Sequence, residues 1–266
     1  MLPDALELPY VEQGDPSGIP VVFLHAYADS WRSFERVFPY LPSSIRAVAV
    51  TQRGHGNAGR PTTGYRVEDF AGDLEAFMDA LDLERAVLVA SSSAGFTVQR
   101  FAIDNPLRAL GLVLIGVPWS LRAKRVGSSL VKAVSELRDP VDPEFVRDFV
   151  ESTVVGPVPR AFVEAMIDES LKMPAHIWKA TMDGLLEARL ATESGAVSAP
   201  TLIVWGDRDD FVPRSDQNKL TAAIPGSRLV VYGGAGHVVH WEAPERVAAD
   251  IAGFVGRLTS WRVRSQ

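Results

Sequence analysis

Short, uninterrupted apolar runs that alternate with amphipathic stretches constrain most strongly how this chain of 266 residues can fold. The strand-length runs cover residues 19–24, 46–50, 86–90, 109–115, 200–205 and 228–232. Because apolar residues follow one another here rather than alternate with polar ones, both faces of each strand should be covered, as in a parallel sheet. Residues 6–13 predict a further strand that turns back into the first run, and Pro9 places it at an edge.

Helices are predicted between these strands. Along residues 67–81, the apolar positions Val67, Phe70, Leu74 and Phe77 have the spacing of a helix that buries one face. Strands that alternate with such helices are typical of a doubly wound α/β sheet. The predicted fold class is therefore α/β.

The stretch from residue 120 to residue 198 interrupts this alternation. It has no strand-like run but holds helical patterns at 128–137, 143–151, 159–172 and 174–189. Proline opens three of these patterns, as is typical of a first helical position. We interpret 120–198 as a helical cap, or lid, inserted into a core formed by residues 1–119 and 199–266. The alternative is that these helices simply cover the sheet.

Composition narrows the functional classes. The chain has no cysteine, so disulfides, thiolate catalysis and cysteine-ligated metal sites are excluded. Its net charge of −6 disfavours nucleic acid and anionic membranes as partners. No run approaches the ~18 apolar residues of a membrane span, and no pair of histidines has metal-site spacing. We expect no cofactor and, in the absence of a signal-peptide pattern, a cytoplasmic location; the oligomeric state stays open.

The first chemical motif lies where the run at 86–90 meets a predicted helix, and it has the sequence ASSSA. A nucleophile at such a turn has a strained backbone that exposes its side chain, and it needs small residues two positions away on either side. Ala90 and Ala94 meet this demand around Ser92. A register shifted by one residue would make Ser93 the nucleophile instead.

The second motif is GDRD at 206–209, directly after the run at 200–205. A carboxylate at the end of such a strand lies on the ligand side of an open α/β sheet and can orient a histidine. Asp209 is the predicted acid. Asp207 and Asp210 are the alternatives, and Asp210 is the stronger of the two.

The third motif is GGAGH at 233–237, after the last strand-like run. Its glycines allow a tight loop that presents His237 as a general base. Each motif alone is a weak signal. A serine, an aspartate and a histidine in this order, each after a separate strand, together indicate nucleophilic catalysis.

The other histidines show no pattern of their own. His55 lies in a glycine-rich RGHG turn, and we interpret it as a structural hydrogen-bonding residue. We interpret His240 as part of the packing of its own loop. The role of His176, in the predicted cap, is left open.

Five segments together resemble the α/β-hydrolase fold family of esterases, lactonases and cofactor-free haloperoxidases. They are FLHAYADSW at 23–31, QRGHG at 52–56, VLVASSSAG at 87–95, LIVWGDRDDFVP at 202–213 and GGAGHVVHWEAPERV at 233–247. The resemblance covers most of the chain outside the cap. It implies an α/β-hydrolase fold, a mostly parallel doubly wound sheet with a helical lid inserted after the sixth strand. It also implies a catalytic triad of Ser92, at the matching offset from its strand, with Asp209 and His237.

The resemblance further implies an oxyanion hole made by the backbone N–H groups of Tyr27 and Ser93. This sequence departs from the family at the neighbouring small positions. Ala26 replaces a common glycine beside Tyr27, and Ala90 and Ala94 replace both glycines of the nucleophile turn. No reacting group is lost, but these changes leave room for reduced or specialised activity.

The implied reaction is hydrolysis of a small-to-medium hydrophobic carboxylic ester or lactone through an acyl-enzyme. Trp31, Trp119, Phe211 and Val238 are the candidate substrate-binding residues, because they lie close to the motifs in sequence. Aromatic residues of the cap either contribute to the pocket or pack the cap itself: Phe145, Phe149, Phe162 and Trp178. The alternatives are a non-catalytic ligand-binding protein on the same fold, and a cofactor-free haloperoxidase or perhydrolase. A serine nucleophile disfavours the related dehalogenases and epoxide hydrolases, which use aspartate.

Overall fold

A computed structural model describes residues 6–121, 125–188 and 197–263. Its strands form one sheet in the order β1-β3-β2-β4-β5-β6-β7. They are β1 (Tyr10–Gln13), β2 (Ile19–Leu24), β3 (Ile45–Val50), β4 (Ala86–Ser91), β5 (Ala109–Ile115), β6 (Thr201–Gly206) and β7 (Arg228–Tyr232). β1 pairs antiparallel with β3, and the remaining neighbours pair in parallel. The predicted α/β class and mostly parallel sheet are confirmed.

The edge strand differs in detail from its prediction. β1 begins at Tyr10, later than expected, and it pairs with β3 rather than with β2. Pro9 lies just before the strand, and its carbonyl accepts the N–H of Thr51 at 2.8 Å. The proline therefore takes part in the pairing as an acceptor only, which is the one role open to it at an edge.

Helices cover both faces of the sheet. They are α1 (Val67–Ala80), α2 (Ala94–Asp104), α3 (Arg125–Glu136), α4 (Pro143–Ser152), α5 (Arg160–Leu171), α6 (Ala175–Glu187), α7 (Arg214–Ala223), α8 (Val239–Glu242) and α9 (Pro244–Val263). Val22 and Leu24 of β2 pack with α1, α2 and α7, whereas Val21 and Phe23 pack with α9 and two short 3₁₀ turns. Burial on both faces explains the uninterrupted apolar runs.

Helices α3 to α6 fall within residues 120–198, the expected cap, and they lie between β5 and β6 in the chain. We keep the name cap for these four helices and the turns between them. The cap follows the fifth strand of the described chain rather than the sixth, so that expectation was wrong. The five strands before these helices match the five that the sequence predicts up to residue 115, and a sixth was implied only by the family resemblance. Residues 122–124 and 189–196 of the expected insertion lie outside the described ranges, and its status as a separate unit stays a prediction.

The sheet has a topological switch point beside β2. From β2 the chain passes outward to β3 and then crosses to β4, on the opposite side of β2. The loops that leave the carboxyl ends of β2 and β4 therefore run in opposite directions and open a crevice, where ligands bind in sheets of this kind. Tyr27 follows β2 and Ser92 follows β4, so both lie at this crevice.

Candidate active site

Ser92 occupies the sharp turn between β4 and α2 with a positive φ of +48°. This conformation is rare for a residue with a side chain and costs about 1–3 kcal/mol. The N–H of Ser92 donates to the carbonyl of Ile115 on β5 at 2.8 Å, which fixes the turn. Ala90 and Ala94, on either side, are both buried. The small flanking residues and the strained turn have the geometry that the sequence predicts.

Ser92, His237 and Asp209 form a continuous chain of hydrogen bonds. Nε2 of His237 lies 2.9 Å from Oγ of Ser92, and Nδ1 lies 2.8 Å from Oδ2 of Asp209. The other carboxylate oxygen of Asp209 accepts the N–H groups of Phe211 and Val212, each at 2.9 Å. Because the carboxylate holds the proton on Nδ1, the lone pair of Nε2 is free to accept the serine proton.

The alternatives to Ser92 and Asp209 do not take part in this chain of hydrogen bonds. Asp210 is exposed, and Asp207 is also exposed and accepts the N–H of Gly234 at 2.6 Å, which shapes the loop before the histidine. The imidazole contacts the hydroxyl of Ser92, whereas Ser93 serves as the N-cap residue of α2. The geometry thus favours Ser92 and Asp209 over their neighbours.

The histidine loop is held by the cap. The N–H of His237 donates to the carbonyl of Thr153, just after α4, at 3.1 Å. Glu242 bridges the same two segments, since its carboxylate accepts the N–H of Gly236 at 2.9 Å and that of Val155 at 2.8 Å. The position of the imidazole therefore depends on the turn that joins α4 to α5.

Tyr27 and Ser93 meet at the cavity beside Ser92. Among the described residues, neither backbone N–H has a hydrogen-bond acceptor, so both are available to an oxyanion. The Tyr27 hydroxyl donates to the carbonyl of Trp178 on α6 at 2.7 Å, and burial raises the pKa of this tyrosine well above its ordinary value. The positive φ of this loop falls on Ala28, at +60°, and not on Ala26. Alanine at position 26 therefore fits without backbone strain.

A largely apolar cavity of about 100 Å³ lies over Ser92. Phe211 and Val238 line it, as predicted. Trp31 and Trp119 do not, which corrects their expected place. Trp31 opens a 3₁₀ turn and packs with the α9 side of the core, whereas Trp119 packs with the opposite cluster. Closeness to a motif in sequence does not fix the direction in which a side chain points.

Of the cap aromatics, Phe149 lines the cavity. Phe145 packs edge-to-face on the fully buried Trp178, with ring centroids 5.6 Å apart. Phe162 packs in the same way on Trp241 at 5.4 Å. Most of these rings therefore pack around the cavity rather than in its wall.

Asp29 is the cavity residue that the sequence analysis overlooked. It lies in the same loop as Tyr27, it is only 6% exposed, and one carboxylate oxygen accepts the N–H of Ser30 at 2.8 Å. Burial raises its pKa to about 7, and the nearby charge of Glu169 acts in the same direction. Its position two residues after Tyr27 is a signal that was available. Ser170 and Trp241 also line the cavity, but only the fold brings them there, and no sequence signal indicated them.

The remaining histidines do not belong to the hydrogen-bonded chain of Ser92, His237 and Asp209. Nδ1 of His55 donates to the carbonyl of Arg53 at 2.8 Å, and burial lowers the pKa of His55 to about 4. His240 is completely buried against Ser33, with its pKa lowered to about 3 by burial. His176 is exposed on α6. The structural interpretation of His55 and His240 agrees with these contacts.

Neither a metal site nor a membrane span is found in the part of the chain that the structure describes. No group of histidine and carboxylate side chains there is arranged to hold a metal ion. None of the described helices is both long and apolar enough to cross a bilayer.

Comparisons with known proteins agree with this architecture. A relative named AB hydrolase superfamily protein YisY, from Bacillus subtilis, is 26% identical over 89% of this chain and 91% of its own length. A non-heme chloroperoxidase from Streptomyces lividans is 26% identical over 95% of this chain and 97% of its own. The structure is also similar to an esterase from Exiguobacterium antarcticum, with a TM-score of 0.85 and 22% identity over 95% of this chain and 97% of that one. The sequence model of the alpha/beta hydrolase fold matches residues 19–244, and the chain therefore belongs to the α/β-hydrolase family.

Proposed function

We propose that this chain is a serine hydrolase that cleaves a small-to-medium hydrophobic carboxylic ester or lactone through an acyl-enzyme. The observation that carries the proposal is the hydrogen-bonded chain from Asp209 through His237 to Ser92, which ends beneath an apolar cavity. A cavity that only bound a ligand would not need an imidazole with one nitrogen held by a carboxylate and the other at a serine hydroxyl.

The proposed reaction has two steps. His237 takes the Ser92 proton as Oγ attacks the carbonyl carbon, and the N–H groups of Tyr27 and Ser93 hold the oxyanion. His237 then gives the proton to the leaving alcohol, which leaves an acyl group on Ser92. A water molecule, activated by the same imidazole, repeats the sequence and releases the acid.

The substrate class follows from the cavity wall. Hydrocarbon side chains from both the core and the cap form most of it, among them Leu130, Phe149, Met182 and Val238. Such a wall favours an apolar acyl or alkyl group and disfavours a multiply charged one, because most of the wall offers no hydrogen bonds to offset the desolvation of charge. A preference for a multiply charged ester would contradict this assignment.

The proposal is tested with a chain-length series of p-nitrophenyl esters, read as kcat/KM. Wild type should hydrolyse these esters, and Ser92→Ala should lose about 10⁴-fold or more, because the reacting oxygen is gone. Ser91→Ala is the matched control, since its buried hydroxyl has no partner among the described residues. Ser93→Ala tests the register.

Loss of activity in Ser93→Ala with activity retained in Ser92→Ala would move the nucleophile by one residue. Folded wild type that cleaves neither esters nor lactones would refute the proposal and favour a ligand-binding role.

A second candidate is perhydrolysis, which the likeness to a non-heme chloroperoxidase favours. In that reaction hydrogen peroxide replaces water in the second step, and the acyl-enzyme is released as a peracid. Halogenation of a reporter in the presence of acetate, bromide and peroxide detects it. Ser92→Ala should abolish this activity too, because both reactions pass through the same acyl-enzyme.

A further inference from the structure

A second, smaller cavity of about 20 Å³ lies between the core and α6. It shares Ala26, Tyr27, Ser93 and Leu185 with the cavity over Ser92, so the proposed oxyanion hole lies where the two cavities meet. Its volume exceeds the roughly 10–15 Å³ that one water molecule requires.

Two residues that line this cavity each have a buried polar atom without a hydrogen-bond partner among the described residues: Nε2 of His55 and Oγ1 of Thr181. Their residues are 2% and 3% exposed. Nδ1 of His55 donates its proton to the carbonyl of Arg53, so Nε2 presents a bare lone pair, whereas the Thr181 hydroxyl can both donate and accept. Leaving either atom unpaired in the interior costs about 1–3 kcal/mol.

We propose that this cavity is a binding site for one water molecule, which donates to Nε2 of His55 and accepts from Oγ1 of Thr181. The ligand is neutral, because no carboxylate, lysine or arginine of the described residues lines the cavity. The ligand must also be small, and it must both donate and accept a hydrogen bond, because it bonds to Nε2 of His55 on the core and to the hydroxyl of Thr181 on the cap.

The water completes the support of the loop that carries the Tyr27 N–H. Other bonds also hold this loop, among them Gln52 Nε2 to the carbonyl of His25 at 2.8 Å, Tyr27 Oη to that of Trp178 at 2.7 Å, and Ser170 Oγ to that of Ala28 at 2.5 Å. The bridge ties α6 to the His55 turn beside them. This part of the inference rests on the proposed function, and it makes His55 and Thr181 positioning residues for the oxyanion hole.

Crystal structures of wild type and of Thr181→Val, at a resolution that shows ordered water, test the site directly. We expect a water peak within hydrogen-bond distance of both atoms in wild type and no such peak in Thr181→Val. We also expect kcat of this variant to fall about fivefold with KM little changed, which is less than the 10²–10³-fold cost of a lost oxyanion donor. Thr181→Ser should restore both the water and kcat.

Thr201→Val is the control for removing a buried threonine hydroxyl, since Thr201 lies on β6 and donates to the carbonyl of Ala199 at 2.9 Å, at neither cavity. It should keep the wild-type kcat and the water. A dry cavity in wild type, or a wild-type kcat in Thr181→Val, would overturn the inference. The water peak is read without any turnover, so it still decides the site if the proposed hydrolysis fails.

Discussion

Asp209 uses both of its carboxylate oxygens, one for the imidazole of His237 and one for two backbone N–H groups of its own loop. The loop thus holds the carboxylate in place before any substrate arrives. An amide at this position would keep the bonds to the loop, but its NH₂ group would face Nδ1. The imidazole would then carry its proton on Nε2, where it cannot accept from Ser92.

We therefore predict that Asp209→Asn lowers kcat by about 10⁴-fold, through the wrong tautomer, with little change in the midpoint of thermal unfolding. Ester hydrolysis and a thermal melt of the same sample measure both effects. Asp210→Asn is the matched control and should retain the wild-type rate because that side chain is exposed. Equal losses in the two variants would contradict the assignment of the acid.

Asp29 predicts a dependence of stability on pH. Its pKa is raised from 3.8 to about 7 by burial, so the folded chain binds this proton more tightly than the unfolded chain. The contribution to stability is complete below about pH 4 and falls as the pH rises toward 7. Relative to wild type, Asp29→Asn should gain about 2 kcal/mol in free energy of unfolding between pH 5 and pH 8.

Urea denaturation at the two pH values measures this difference. A constant offset between wild type and Asp29→Asn would show that the carboxyl group titrates as if it were exposed.

At the residue scale, the serine, aspartate and histidine that the structure brings together were predictable, whereas the cavity wall was predictable only in part. Ser92, Asp209 and His237 each lie within five residues of the end of a strand, so the sheet carries them to one edge. The wall depends on side-chain direction and on cap helices that are distant in sequence. Trp31 was for that reason misplaced and Asp29 overlooked.

At the element scale, α6 connects the cap to the core. The carbonyl of Trp178 on this helix accepts a hydrogen bond from the hydroxyl of Tyr27. Gly184, between one and two turns later, lies directly against the backbone of Tyr65. A Cβ at position 184 would stand 2.0 Å from the carbonyl oxygen of Tyr65, an approach that only glycine allows. The close contact brings the helix against the loop that precedes α1.

Gly184→Ala should therefore destabilise the fold by about 3 kcal/mol or more, because helix and loop must separate. Gly72→Ala, in the middle of α1, is the matched control, since nothing lies within 4 Å of its added Cβ. That variant should gain about 1 kcal/mol from helix propensity. Chemical denaturation compares the two, and a neutral Gly184→Ala would mean that α6 is loosely held.

Helices and strands were predictable from periodicity, but their ends and count were less so. The start of β1 was set too early, and the cap was placed one strand too late. The first error arises because the length of β1 is fixed by its contact with β3 rather than by its own sequence. The second arises because the strand count came from the family resemblance and not from the runs in this chain.

At the scale of the whole molecule, the chain has an apolar cluster on each face of the sheet and a further one at the base of the cap. This last cluster mixes residues of the core, such as Tyr27 and Phe70, with residues of the cap, such as Val146 and Met166. Neither the core nor the cap buries these residues alone. Core and cap therefore depend on the same packed surface for stability.

We predict that cap and core unfold in one cooperative transition. Thermal unfolding followed by near-UV circular dichroism and by ester hydrolysis should give coincident curves, with a calorimetric enthalpy equal to the van't Hoff enthalpy. Activity that disappears well before the circular dichroism signal would instead show that the cap melts first.

The bond from the His237 N–H to the carbonyl of Thr153 has a consequence for protein engineering. A cap that only covered the pocket would be an exchangeable module, and substrate range could be altered by transplanting the cap of a relative. Here the transplanted segment would also carry the hydrogen bonds that hold the loop of His237, the proposed general base. A foreign cap must therefore supply a carbonyl in the place of Thr153, to accept the N–H of His237, and an N–H in the place of Val155, to bond Glu242. Without them the chimaera would gain a new pocket but lose the position of its imidazole.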